Sequence, residues 1–159
     1  MREEGIYQSF EKLTISVSKI IQVNNTVVYV IGGNQYPSLL GRKYDVPKSC
    51  IKIDIDSGEI VKLADMRECR SSFGLCVLRN IIYVFGGRNG KNYNEEVEGC
   101  EKYNILTDRW EDFVKVPDNY TIGMSVSLVE KRFVYGFAGV NARRETEYET
   151  KMRIVRIDL

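Results

Sequence analysis

The chain has 159 residues, 43% of them hydrophobic and 28% charged, a composition typical of a globular protein with a core. Its 23 basic and 22 acidic residues give a formal net charge of +1, which provides no general attraction to nucleic acid or to an anionic membrane. The complete lack of histidine removes the usual base for Ser or Cys nucleophiles and a common metal ligand. We therefore expect no nucleic-acid or membrane partner, no catalytic residues, no metal site and no cofactor.

Two further features concern the cellular compartment. Residues 1–10 are polar and acidic where a signal peptide would be basic and then apolar, and no apolar run approaches the roughly 20 residues that span a bilayer. The four cysteines lack the spacing of a zinc site and are too sparse for a disulfide scaffold. The sequence thus predicts a cytoplasmic protein with free thiols, of which Cys69, between two charged residues, is the best candidate for reactivity.

A strand that ends in small residues occurs three times, at intervals of about 50 residues. It reads VVYVIGG over residues 27–33, IIYVFGG over 81–87 and FVYGFAG over 133–139. The first two are apolar throughout, which is typical of a strand covered on both faces. The glycines at their ends suit a backbone that a Cβ would obstruct.

Three other strand patterns recur around each of these strands. A looser apolar strand precedes it, at residues 19–23, 72–78 and 124–129, and an alternating strand follows it, at 50–54, 100–104 and 154–158. The last pattern has apolar residues three apart, at 60–66, at 110–116 and at the start of the chain in 7–13. Trp110 stands where the first repeat has Ile60, so it is predicted to pack between repeats rather than to stack on a ligand.

The middle unit resembles a kelch repeat. It begins with Arg70 and Ser71 and continues with YVFGG over 83–87, EKYN over 101–104 and then Trp110. The resemblance implies an all-β fold of kelch-type β-propeller blades, each a four-stranded antiparallel sheet with strands a to d. The expected organisation is one propeller segment over 1–159, with repeats at 5–66, 67–117 and 118–159, a first d strand at 5–13, and strands in the phase d-a-b-c.

Certain repeat positions are expected to be structural. They are the b-strand tyrosines and the small residues that follow them, together with the tryptophan: Tyr29, Tyr83, Tyr135, Gly32, Gly33, Gly86, Gly87, Gly139 and Trp110.

The long b-to-c connections, residues 34–49, 88–99 and 140–151, should emerge on the same edge of the blades as the d-to-a connections. Function concentrates on long loops held by a rigid scaffold, and arginine and tyrosine are frequent interface anchors. We therefore predict that this edge binds another protein or a peptide. The predicted partner-binding residues are Arg42, Tyr44, Arg67, Arg70, Arg88, Asn92, Tyr93, Arg143, Arg144 and Tyr148.

The function expected from the resemblance is that of a non-catalytic protein–protein interaction module or scaffold subunit. One alternative is the substrate-recognition subunit of a ubiquitin ligase, with the adaptor on another chain. Another is an enzyme built on a kelch propeller, which the lack of histidine disfavours. The third is a structural subunit of a large assembly.

Three blades also raise the matter of ring closure. Propellers close with four to eight blades, so we expect further blades from a longer chain, from a homodimer mate or from another polypeptide. In the predicted phase an unpaired d strand opens the segment and a c strand ends it, which leaves two open strand edges.

Overall fold

The computed structural model describes residues 18–33, 47–89, 96–116, 123–137 and 154–159. These residues form three antiparallel sheets in which consecutive strands are neighbours. Blade 1 consists of β1 (Lys19–Gln22), β2 (Val27–Ile31), β3 (Cys50–Asp54) and β4 (Ile60–Lys62). Blade 2 consists of β5 (Gly74–Leu78), β6 (Ile81–Phe85), β7 (Gly99–Asn104) and β8 (Arg109–Lys115). Blade 3 consists, in the described residues, of β9 (Ser125–Val129), β10 (Phe133–Phe137) and β11 (Ile154–Asp158).

The predicted all-β fold of antiparallel blades is confirmed, and each blade runs in the predicted strand order. The three tyrosine strands are β2, β6 and β10, each hydrogen-bonded on both sides. The d strand predicted at 5–13, which would complete blade 3, lies outside the described residues, as does Gly139. Within the parts of the chain that are described, no helix is long and apolar enough to cross a membrane.

Short hairpins are set by side chains that bond to their own turn. Asn24 accepts the backbone N–H of Thr26 and Val27. Asp54 and Asn104 likewise accept two backbone N–H groups each, two and three residues further along the chain. Asn and Asp favour such turns because their short side chains can replace a backbone acceptor. The connections of strands a to b and c to d are therefore tight, and they lie on one edge of the blades.

The core lies between the blades rather than inside any one of them. The blade 1–blade 2 interface contains buried side chains from β2 and β3 of blade 1, from β6, β7 and β8 of blade 2, and from the segment that joins the two blades: Tyr29, Ile31, Cys50, Met66, Phe73, Ile82, Val84, Tyr103 and Trp110. The blade 2–blade 3 interface is formed in the same way by Cys76, Tyr83, Phe85, Cys100, Val116, Met124 and Val134. Each blade thus has a leading face toward the preceding blade and a trailing face toward the next.

Polar contacts accompany the packing at the first interface. Trp110 Nε1 donates to the carbonyl of Ala64 at 2.9 Å, and the N–H of Ala64 donates to Asp108 Oδ1 at 2.8 Å. The Tyr103 hydroxyl donates to the same carboxylate oxygen at 2.7 Å, and its ring centroid lies 5.0 Å from that of Trp110. Because the indole N–H and the Tyr103 hydroxyl both find acceptors, their burial does not cost an unpaired donor.

The three-residue spacing in strand d has a structural cause. Trp110 packs toward blade 1, whereas Phe113 and Val116 pack toward blade 3. On a regular strand, residues three apart point to opposite faces. The pairing of β7 with β8 shifts register between Gly99 and Glu101, so β8 contains one extra residue there. This extra residue places Val116 on the same face as Phe113. In blade 1 strand d is shorter than predicted, ending at Lys62, although Leu63 and Met66 still donate to Cys50 and Lys48.

Candidate functional site

The predicted binding edge is formed where the b strands end and the d-to-a segment crosses between blades. Ser71 and Arg88 exchange backbone hydrogen bonds of 3.0 and 2.9 Å, and Arg88 also forms a β-bridge with Glu96. Gly33 donates to the carbonyl of Arg70, which joins this segment to blade 1. We call this region, residues 32–33, 67–73, 86–89 and 96–99, the loop edge. Its backbone is fixed by pairing on both sides.

The glycines at the ends of β2 and β6 allow this crossing. Gly87 has φ +105, and a Cβ there would lie 2.7 Å from the carbonyl oxygen of Ser71 and 2.9 Å from Cβ of Phe73. Gly32 has φ +55 and the same kind of conflict with Arg70 and Phe73. Only glycine fits at these positions, because both the backbone angle and the space exclude a side chain.

Arg70 and Glu101 form a buried ion pair directly beneath the loop edge. Both side chains are 1% exposed, and Nε and Nη2 of Arg70 donate to Oε1 of Glu101 at 3.1 and 2.8 Å. Nη1 donates to the carbonyls of Gly86 and Gly99 at 2.8 and 2.6 Å. Nearly all the polar atoms of the pair are satisfied within the protein. Arg70 was expected to contact a partner, and the structure corrects this expectation because its guanidinium is used internally and does not reach the surface.

Glu101 also holds the exposed part of the d-to-a segment. Its Oε2 accepts the backbone N–H of Arg67 at 2.8 Å, and its Oε1 accepts that of Glu68 at 3.1 Å. The side chains of Arg67 and Glu68 are exposed. Arg67 makes a surface ion pair with Asp112 at 3.3 Å, which a partner could replace at little cost. The loop edge therefore presents two opposite charges on a rigid backbone.

Arg88 differs from both other arginines of the loop edge. Its side chain is partly buried, and its Nε is enclosed without a hydrogen-bond partner. Arg67, Arg70 and Arg88 are thus brought to one edge, but only Arg67 is openly accessible. The other predicted partner residues lie outside the described residues: Arg42, Tyr44, Asn92, Tyr93, Arg143, Arg144 and Tyr148.

Sequence reasoning missed the role of Glu101. It occupies the position in strand c that Ile51 and Val155 fill in the other blades, as the pairing with strand b shows. A charged residue at a repeat position that is otherwise aliphatic signals a buried partner, so this pairing could have been anticipated. Glu68 and Glu98, both exposed at the loop edge, were also not among the predicted contacts.

Three of the four cysteines are buried. Among the described residues, no group of three or more Cys, Asp or Glu side chains is arranged to hold a metal ion. Burial raises the pKa of the Cys50 and Cys76 thiols to about 12 and that of Cys100 to about 11. These three thiols are protonated and unreactive near neutral pH. Cys69 is only partly buried.

Comparison with known proteins gives consistent relationships. A family model described as Kelch motif matches residues 69–115. Alpha-scruin of Limulus polyphemus is 26% identical over 122 residues, which cover 77% of this chain and 13% of that protein. Kelch repeat and BTB domain-containing protein 2 of cowpox virus (strain Brighton Red) is 26% identical over 149 residues, covering 86% of this chain. The chain spans 13% and 25% of the lengths of these two relatives.

A solved structure has the same architecture. The structure of YjhT superposes with a TM-score of 0.62 and 19% sequence identity, over 82% of this chain and 36% of that one. At this level of identity the likeness shows the fold alone.

Proposed function

We propose that this chain, whose residues 69–115 match the Kelch motif model, is a non-catalytic module that binds another protein or peptide through its loop edge. Kelch repeats generally mediate protein–protein interaction. The observation that carries the proposal is the arrangement around Glu101, whose buried carboxylate orients the backbone of Arg67 and Glu68 while their side chains remain exposed.

Such an arrangement favours binding for a physical reason. A side chain on a preorganised backbone loses less conformational entropy on binding than one on a loose loop. The exposed ion pair of Arg67 with Asp112 contributes little to stability. Replacing Asp112 by a partner's carboxylate therefore loses little free energy. Arg67 can form a bidentate bond to that carboxylate, and Glu68 beside it selects against partners with a second acidic group there.

The test begins with selection of peptides from a displayed random library on the 159-residue chain, followed by titration of the selected peptide. In the double variant Arg67→Ala/Glu68→Ala we expect affinity to fall at least about tenfold. The matched control is Arg109→Ala, an exposed charge next to the c-to-d turn on the opposite edge. A selected peptide that is indifferent to the double variant but sensitive to Arg109→Ala would place binding on the wrong edge and contradict the proposal.

A second candidate is the substrate-recognition subunit of a ubiquitin ligase whose adaptor is another chain. The observation that favours it is the name of the cowpox virus relative, which joins kelch repeats to a BTB domain. In this case the tagged chain, immunoprecipitated from cells, should bring down a cullin through its adaptor. If no cullin is recovered, although the chain from the same cells still binds the selected peptide, the ubiquitin-ligase role is contradicted and the role of a binding module remains.

A further inference from the structure

The guanidinium of Arg88 is partly buried at the loop edge without a group that neutralises it. The side chain is neither fully buried nor exposed, and its Nε is enclosed with no hydrogen-bond partner. In the described part of the chain, the Arg88 side chain forms no ion pair and no contact with an aromatic ring. A partly desolvated cation without an acceptor costs free energy, so this charge does not serve the stability of the folded chain.

The other two arginines of the loop edge do have acceptors. Arg70 donates four hydrogen bonds, which go to Glu101 and to two backbone carbonyls. Arg67 forms its ion pair with Asp112. An enclosed donor without a partner is rare in folded proteins, and a ligand bound at this edge would supply the acceptor that Arg88 lacks.

The backbone of Arg88 is fixed on both sides, which sets the direction of its side chain. Its N–H donates to Ser71 at 2.9 Å, its carbonyl accepts the N–H of Ser71 at 3.0 Å, and it also bridges to Glu96. Ser71 belongs to the same d-to-a segment as Arg67, so the two cations lie on one edge. Because Nε is the enclosed nitrogen and the side chain is only partly buried, the Nη end is the part that a ligand can reach.

We propose that Arg88 is a specificity-determining residue of the loop edge and binds a carboxylate of the partner other than the one that Arg67 binds. This inference rests on the proposed function and adds that the partner segment is acidic at two positions. A carboxylate at Arg88 supplies the counter-charge that the chain does not, and partial burial strengthens the attraction because the local dielectric is lower than that of water. Glu68 disfavours a second acidic group next to Arg67, so the two carboxylates are expected at separate positions of the partner.

The thermal stability of the free chain is the first test, because it needs no ligand. Arg88→Met removes the charge and the enclosed N–H donor but keeps an unbranched side chain, so the unfolding midpoint should stay the same or rise by up to about 4 °C. The matched control is Arg79→Met, an exposed arginine in the a-to-b turn of the same blade, on the opposite edge. This control should leave the midpoint within about 2 °C of the wild-type value. A midpoint lowered further in Arg88→Met than in Arg79→Met would show that the fold uses this guanidinium, and would overturn the proposal.

Affinity for the peptide selected on the loop edge is the second test. Arg88→Met should weaken binding at least about tenfold, whereas Arg79→Met should leave the affinity unchanged. Arg88→Lys should still weaken it at least about threefold, because an ammonium keeps the charge but not the planar fork that binds a carboxylate through two nitrogens. Replacing the acidic residues of the peptide one at a time by their amides should identify one acid whose loss weakens binding to the wild-type chain but not to Arg88→Met.

The outcomes separate this inference from the proposed function. A peptide that loses affinity for Arg67→Ala/Glu68→Ala but binds Arg88→Met as tightly as the wild-type chain would retain the loop edge as the binding surface and overturn the role of Arg88. A peptide with a single essential acid that couples to Arg67 alone would have the same meaning. A peptide sensitive only to Arg109→Ala would contradict the proposed function and this inference together.

Discussion

Arg67 and Arg70 are three positions apart in one connection, yet their side chains have opposite roles. Arg70 is buried and bonded to Glu101 and to two carbonyls, whereas Arg67 is exposed and contacts Asp112. The backbone N–H groups of Arg67 and Glu68 both bond to the carboxylate that Arg70 neutralises. One buried ion pair therefore supports the surface that we propose to bind a partner.

Replacing Arg70 should destabilise the protein far more than replacing Arg67. Arg70→Met leaves the carboxylate of Glu101 buried without its cation, which costs about 3–5 kcal/mol of unfolding free energy. Arg67→Met removes only an exposed pair and should change that free energy by about 1 kcal/mol or less. Urea denaturation of the two variants measures the difference.

The double variant Arg70→Met/Glu101→Met provides a control on the cause. Removing both charges should recover part of the loss, since neither is then left unpaired. Equal destabilisation by Arg67→Met and Arg70→Met would show that the pair is not a support for the loop edge.

At the scale of the elements, the end of strand b determines how neighbouring blades meet. Gly32–Gly33 and Gly86–Gly87 all have positive φ, and the d-to-a segment passes directly over Gly32 and Gly87. The carbonyls of Arg70 and Ser71 come so close that a methyl group cannot fit. The glycine pair is therefore a requirement of blade packing as well as of the turn.

Two glycine substitutions separate these requirements. Gly87→Ala combines an unfavourable φ with a contact of 2.7 Å to a backbone oxygen, so we expect a loss of about 3 kcal/mol or more. Gly58 also has a positive φ, +72, but a Cβ added there would have no atom within 4 Å. Gly58→Ala should therefore lower the unfolding free energy by only about 1 kcal/mol. Thermal unfolding compares them, and similar midpoints would argue that close packing over Gly87 is unimportant.

At the scale of the whole molecule, stability resides in the two interfaces between blades. The buried thiols are divided between them, with Cys50 in the first and Cys76 and Cys100 in the second. Tyr29, Tyr83 and Tyr103 also belong to these clusters, and burial raises the pKa of each hydroxyl. Ionisation of these groups therefore opposes packing of the blade array as a unit.

This arrangement predicts a loss of stability in alkaline solution. In the unfolded chain each thiol ionises near its ordinary pKa of 9.0, whereas in the folded protein Cys50 and Cys76 stay protonated up to about 12. Above a pH of 9.0 the unfolded chain therefore binds fewer protons than the folded protein. The thiols' contribution to the unfolding free energy is fully retained below pH 9.0 and is lost as the pH rises above it. The slope approaches about 1.4 kcal/mol per pH unit for each thiol.

Urea midpoints measured across this alkaline range, with reductant present, test the prediction. In Cys76→Ala the unfolding free energy should decline less steeply with pH, because one thiol's contribution of at most about 1.4 kcal/mol per pH unit is removed. An unchanged slope in Cys76→Ala would mean that this thiol does not contribute.

The strands could be predicted because their signals are local. An apolar run closed by two glycines identifies β2 and β6, and the spacing of their tyrosines defines the repeat. The short turns at Asn24 and Asn104 depend on side chains that bond within a few residues. The sequence by itself therefore determined the all-β blades, their strand order and the edge on which the d-to-a segment lies.

The site depended on contacts that no local pattern contains. Whether an arginine in the d-to-a segment is exposed or buried is decided by a carboxylate 31 residues away, which pairs with Arg70 and leaves Arg67 outside. The same holds for Phe85 and Phe137, which occupy equivalent positions in strand b, although Phe85 is buried and Phe137 is exposed. Only the tertiary structure decided these roles, since burial and pairing are properties of neighbours brought together by the fold.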